Sequence, residues 1–143
     1  MVDRYMEFAQ SNSLLVMGFV AVLGMIAWVE FTRLTRKYKQ LNVNQAVLLL
    51  NNDDAVVVDV RENKEMMDAG KIQGAKHIPL TDFQKRLPEL DKSKNKPILV
   101  YCRSGSRSGH VCHTLTKNGF ENVNNLTGGI AAWESANMPV TRK

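Results

Sequence analysis

The chain has 143 residues, a formal net charge of +5, two cysteines and three histidines. Setting aside an apolar N-terminal segment leaves roughly 100 residues, room for one small core and no second catalytic domain. Two cysteines without metal-ligand spacing argue against zinc, the lack of an aromatic-basic stripe argues against nucleic acid, and the moderate basic excess suits small anions and a membrane surface.

The first predicted element is a membrane helix. No charged residue occurs between Glu7 and Glu30, and Leu14 to Val29 is apolar apart from Gly18 and Gly24. At ~1.5 Å per residue the uncharged window, residues 8–29, reaches about 33 Å, enough for a hydrocarbon core of ~30 Å. Phe8, Trp28 and Phe31 fall near the interfaces, where aromatic rings anchor a span. A cleaved signal peptide fits less well, because Asp3, Arg4 and Glu7 replace a basic start and no small-x-small site follows. A buried core helix is also a poorer fit to a window of this length. Residues 1–31 are therefore read as an N-terminal region holding one transmembrane helix, and residues 32–41 as a basic stem continuing that helix from Thr32 to Gln40.

Arg33, Arg36, Lys37 and Lys39 follow the span while only Arg4 precedes it. The positive-inside rule then places everything downstream in the cytoplasm, behind a single-pass anchor in the cell's inner membrane, with the basic stem facing anionic headgroups. Gly18, Ala21 and Gly24 recur every three residues. They read either as lipid-facing composition or as a contact face for a membrane-protein partner, in which case the downstream domain is an adaptor.

Residues 42–143 read as one α/β domain. Ala55 to Val60 and Ile98 to Tyr101 are short, valine-rich or fully apolar runs, the signature of strands covered on both faces of a parallel sheet. Asp59 stands at the end of the first strand, either as an ordinary strand cap or as an acceptor of backbone N-H groups that braces a neighbouring loop. Arg61 and Glu65 lie four apart at a helix start, the spacing of a structural ion pair. Gly128-Gly129 makes a tight turn before an amphipathic segment from Ile130 to Ala136.

Chemistry concentrates after the second strand, in Cys102-Arg103-Ser104-Gly105-Ser106-Arg107. Val111, Cys112 and Leu115 mark the buried stripe of a following helix, so the loop closes over a helix N-terminus whose N-H groups and dipole favour an anion. With two arginines beside it, Cys102 is expected to be largely thiolate at neutral pH. The spacing C-x4-R is one residue shorter than the loop of a cysteine-dependent phosphatase, where Ser108 would be the arginine. A cradle of this size suits a thiolate carrying one extra sulfur, with Arg103 and Arg107 binding an anionic donor or leaving group. Cys112 is expected to pack as a small apolar residue, His110 and His113 to face solvent without forming a metal site, and His77 to be structural.

Four segments resemble the rhodanese family of sulfurtransferases: Val56-Val57-Val58-Asp59-Val60-Arg61 with Glu65; Gly70 to Pro79; Gly119 to Val123; and Gly128 to Trp133, all around the Cys102 loop. Lys71 departs from the pattern, standing where the family has a histidine. The resemblance covers about residues 42 to 140. It implies a central, mainly parallel sheet flanked by helices, and sulfane-sulfur transfer through a Cys102 persulfide without metal or cofactor. Arg103, Ser104, Gly105, Ser106 and Arg107 would hold the substrate, supported by Asp59 and Arg61. The donor would be thiosulfate or a persulfide, and the acceptor a thiol, carried on to a protein persulfide, or cyanide.

Overall fold

The computed structural model describes residues 1–52 and 54–142 and divides the chain into two compact units, Met1–Arg36 and Lys37–Lys143.

The first unit is two helices, α1 (Val2–Ser11) and α2 (Ser13–Leu34). Asn12 separates them with φ −124° and ψ 41°, outside helical geometry. The uninterrupted apolar helix thus begins later than the expected residue 8 and runs on to Leu34. It is long and apolar enough to cross a membrane, and none of its residues is buried. The helix does not continue through the stem to Gln40, because Lys39–Leu41 forms strand β1.

The second unit is built on a five-stranded sheet. After β1 come α3 (Val43–Leu50), β2 (Val56–Asp59), α4 (Asn63–Ala69), β3 (Lys76–His77), α5 (Phe83–Arg86), β4 (Ile98–Tyr101), α6 (Ser106–Lys117), β5 (Val123–Leu126) and α7 (Gly129–Ser135). The order is β1-β5-β4-β2-β3, with every pairing parallel. This is the α/β fold with a central parallel sheet flanked by helices that the sequence implied.

Alternation along the strands divides the core into two layers. Val58, Ile98 and Val100 pack with Val111, Cys112 and Leu115 of α6 and with Phe83 and Leu90. Val57, Leu99 and Tyr101 pack on the other face with Ala46 of α3 and with Ile130 and Trp133 of α7. From β4 the chain moves to β5, and from β2 it moves to β3, in opposite directions across the sheet. The crevice outside the carboxyl ends of β2 and β4 is therefore a topological switch point, where open α/β sheets place their ligands. Asp59 ends one of these strands and Cys102 follows the other.

Candidate active site

The Cys102 loop leaves the end of β4 and closes at the N-terminus of α6. Gly105 makes the closure, with φ +96° in the left-handed region that favours glycine. Its N-H donates to Cys102 Sγ at 3.1 Å, and the Ser108 hydroxyl contacts the same sulfur at 3.4 Å. The sulfur lies on the floor of the loop, buried. Burial alone pushes this thiol up, but hydrogen bonds from the Ser108 hydroxyl and the Ser108, Gly105 and Ser104 N-H groups outweigh it and leave the thiol below its ordinary range.

The loop is pinned from outside by the turn into α7. Ile130 N-H donates to Cys102 O at 2.9 Å and Ala131 N-H to Arg103 O at 3.2 Å. Gly129, at φ +60°, makes this close approach possible, since a Cβ there would collide with the carbonyl oxygens of Cys102 and Arg103. The Gly128-Gly129 turn is therefore part of the loop's support as well as a chain reversal.

Asp59 and Arg61 form a buried pair at the end of β2, beside the end of β4. Asp59 Oδ1 accepts the Arg61 N-H at 3.0 Å, and Oδ2 accepts Arg61 Nη2 at 2.7 Å and the Tyr101 hydroxyl at 3.0 Å. Arg61 Nη2 also donates to Gly70 O at 2.6 Å, and Tyr101 accepts the Ile72 N-H at 3.1 Å. Burial works against the Arg61 cation, but the Asp59 carboxylate holds its pKa above the ordinary value. Tyr101 is raised by burial and by the same carboxylate. Asp59 thus caps its own strand by accepting the Arg61 N-H and ties the end of β2 to the end of β4 through the Tyr101 hydroxyl.

The expected Arg61–Glu65 ion pair does not form. Glu65 instead receives Arg107 in a two-pronged pair, Nη1 to Oε2 and Nη2 to Oε1, both at 2.7 Å. A planar guanidinium matches a carboxylate better than the helical spacing matched Arg61, which Asp59 captures in the interior. Arg107 lowers the Glu65 carboxyl to about 2 through hydrogen bonding, and Glu65 raises Arg107 in return. Both terminal nitrogens of Arg107 are thus engaged by Glu65, while Arg103 is exposed. Arg103 lines a cleft of about 300 Å³ together with Glu65, Asp68, Ile130, Ala131 and Glu134.

The remaining expectations fall away from the sulfur. Cys112 is buried in the core beside Leu115, its thiol pushed up by burial, and its Sγ contacts Asn124 O at 3.7 Å. His110 and His113 are exposed, and no group of potential metal ligands occurs among the described residues. His77 Nε2 is 2.7 Å from Arg61 O, a structural contact. Lys71 pairs through its backbone with Thr141.

Sequence reasoning missed Asn125 and Gln40 and did not give Ser108 its contact with the sulfur. Ser108 Oγ lies 2.6 Å from Asn125 Oδ1, and Asn125 Nδ2 donates to Gly105 O and to Gln40 Oε1. One signal was present: two adjacent amides, Asn124 and Asn125, inside a buried strand need polar partners there.

A cysteine held by N-H groups at the carboxyl edge of a parallel sheet is a site for thiolate chemistry. The chain belongs to the rhodanese-like domain family, whose model matches residues 42–136. It is 33% identical to the uncharacterized protein YibN of Escherichia coli over 142 residues, 99% of each chain. It is 34% identical to the thiosulfate sulfurtransferase GlpE of Coxiella burnetii, covering 68% of this chain and 89% of that one. The solution structure of the polysulfide-sulfur transferase homodimer from Wolinella succinogenes superposes with a TM-score of 0.65 at 27% identity, covering 87% of this chain and 92% of that one. These relatives support a sulfurtransferase-type role.

Because the Glu65 carboxyl sits below its unfolded value, its pairing stabilises the fold fully above about pH 4.5 and loses that effect as pH falls through about 2. Glu65→Gln should therefore lower the Tm by a constant amount above pH 5, and the gap from wild type should close between roughly pH 4.5 and 2. Thermal melts across this range check it.

Proposed function

We propose that this protein is a sulfurtransferase that carries sulfane sulfur on Cys102, held by α2 at the inner face of a membrane with its catalytic domain in the cytoplasm. The observation that carries the reading is the cluster of N-H groups and the Ser108 hydroxyl around a sulfur whose thiolate they favour. The family membership and the sulfurtransferase relatives support it.

In the first step the Cys102 thiolate attacks the outer sulfur of thiosulfate or of an anionic persulfide. A sulfur-sulfur bond to Cys102 forms as the donor's own sulfur-sulfur bond breaks, and sulfite or a thiolate leaves with the electron pair. The negative charge moves to the outer sulfur of the Cys102 persulfide. The loop's N-H groups, from Ser104 through Arg107, supply a fixed positive potential for that charge. In the second step a thiolate, or cyanide in vitro, attacks the outer sulfur and Cys102 leaves as thiolate. No proton, metal or redox partner is needed for the balance.

Arg103 is the cation for the incoming anion. Arg107 is committed to Glu65 and acts by fixing the first turn of α6. The basic residues after α2 support the cytoplasmic orientation, and the length and apolarity of α2 support the tether.

Thiocyanate formation from thiosulfate and cyanide tests the reaction. Cys102→Ser should abolish it with the fold intact by circular dichroism, and Arg103→Ala should raise KM for thiosulfate by about tenfold, the loss of one charge-assisted contact. Turnover retained by Cys102→Ser would sink the mechanism. The full chain should stay with membranes through an alkaline carbonate wash, and its release into the supernatant would contradict the tether.

A further inference from the structure

Ser108 has one hydroxyl proton and two acceptors. Its Oγ is 3.4 Å from Cys102 Sγ and 2.6 Å from Asn125 Oδ1, and all three residues are buried. The amide orientation leaves no escape from this conflict. Asn125 Nδ2 faces Gly105 O at 3.0 Å and Gln40 Oε1 at 3.1 Å, so both of its N-H groups are used. A backbone carbonyl cannot donate, so turning the amide over would set Oδ1 against Gly105 O. Gln40 Oε1 also accepts the Thr127 hydroxyl at 3.3 Å, which ties the same amide to the edge strand β1. The oxygen of Asn125 is therefore fixed on Ser108.

We propose that Asn125 is a positioning residue that competes with the Cys102 sulfur for the single Ser108 proton. The hydroxyl turns to the sulfur when it is a bare thiolate and returns to Asn125 when that sulfur carries a second one. The first half follows from the geometry alone, and the second rests on the persulfide reading given above. In the thiolate state the charge on Sγ draws the proton and Asn125 Oδ1 goes without. In the persulfide state the charge has moved to the outer sulfur, Sγ is a weak acceptor, and the short Ser108–Asn125 bond is recovered. No bond other than this hydrogen bond is made or broken in the exchange. Asn125 thereby favours the forward step by penalising the bare thiolate and satisfying Ser108 in the loaded form.

The test is a pH titration of the full chain in detergent, following ultraviolet thiolate absorbance with Cys102→Ser as the blank. Removing the competitor with Asn125→Ala should increase the thiolate-to-thiol ratio on the acid side of the transition by about threefold to tenfold, the scale of one hydrogen bond. In a Ser108→Ala background the same substitution should change nothing, because no proton is left to compete for. No change or a fall in thiolate on Asn125→Ala, or an equal rise in both backgrounds, would overturn the proposal. Asn125→Ser, whose shorter side chain breaks the 2.6 Å contact, decides the matter should Asn125→Ala fail to fold. The titration uses no sulfur donor, so a chain that shows the coupling yet never transfers sulfur would refute the persulfide reading and leave the Asn125 assignment standing.

Discussion

A buried carboxylate organises the second unit of this protein. Asp59 and Arg61 are 0% and 1% exposed, and such a pair is costly to desolvate unless its remaining hydrogen-bonding capacity is filled. Here it is filled by the Arg61 backbone, the Tyr101 hydroxyl and the carbonyl of Gly70. The Arg61 guanidinium also lies 5.6 Å from the Tyr101 ring centroid. The ends of β2 and β4 and the segment after α4 are thereby tied to one another, one residue before Cys102. The Cys102 loop therefore begins from a strand end fastened through the Tyr101 hydroxyl.

Above that base, the Ser108 hydroxyl and a cluster of backbone N-H groups work against the cost of burying a charge. The N-H groups on the sulfur come from the loop and from the first turn of α6, while the turn into α7 holds the loop's own carbonyls. The backbone N-H groups do not have to reorganise as charge appears, unlike a side chain free to turn. The arginines divide the remaining work. Arg107 gives its two terminal nitrogens to Glu65 and stiffens the frame, leaving Arg103 exposed at the cleft.

Much of this was legible in the sequence, where a single local signal sufficed. The apolar runs of β2 and β4, the buried stripe of α6 and the glycine pair before α7 each follow from patterning over a few residues. What escaped reading depended on partners distant in the chain. Helical spacing, which is visible in sequence, pairs Glu65 with Arg61, whereas its actual partner, Arg107, is 42 residues away. Strand β1 is three residues of mixed polarity at a sheet edge, too short for a periodic signal, so the basic stem looked helical. The break at Asn12 interrupts an uncharged window in which hydropathy alone sees one continuous span. Asn125 and Gln40 are ordinary amides in sequence and gain their meaning only when β1 pairs with β5.

The proposed transfer requires that Cys102 itself carry the sulfur. Intact-mass and peptide mass spectrometry of the purified chain after thiosulfate or polysulfide treatment tests it most directly. One added sulfur is expected on the Cys102 peptide, removed by cyanide and absent from Cys112. A Cys102 peptide that stays unmodified with both donors, in a folded chain, would contradict it.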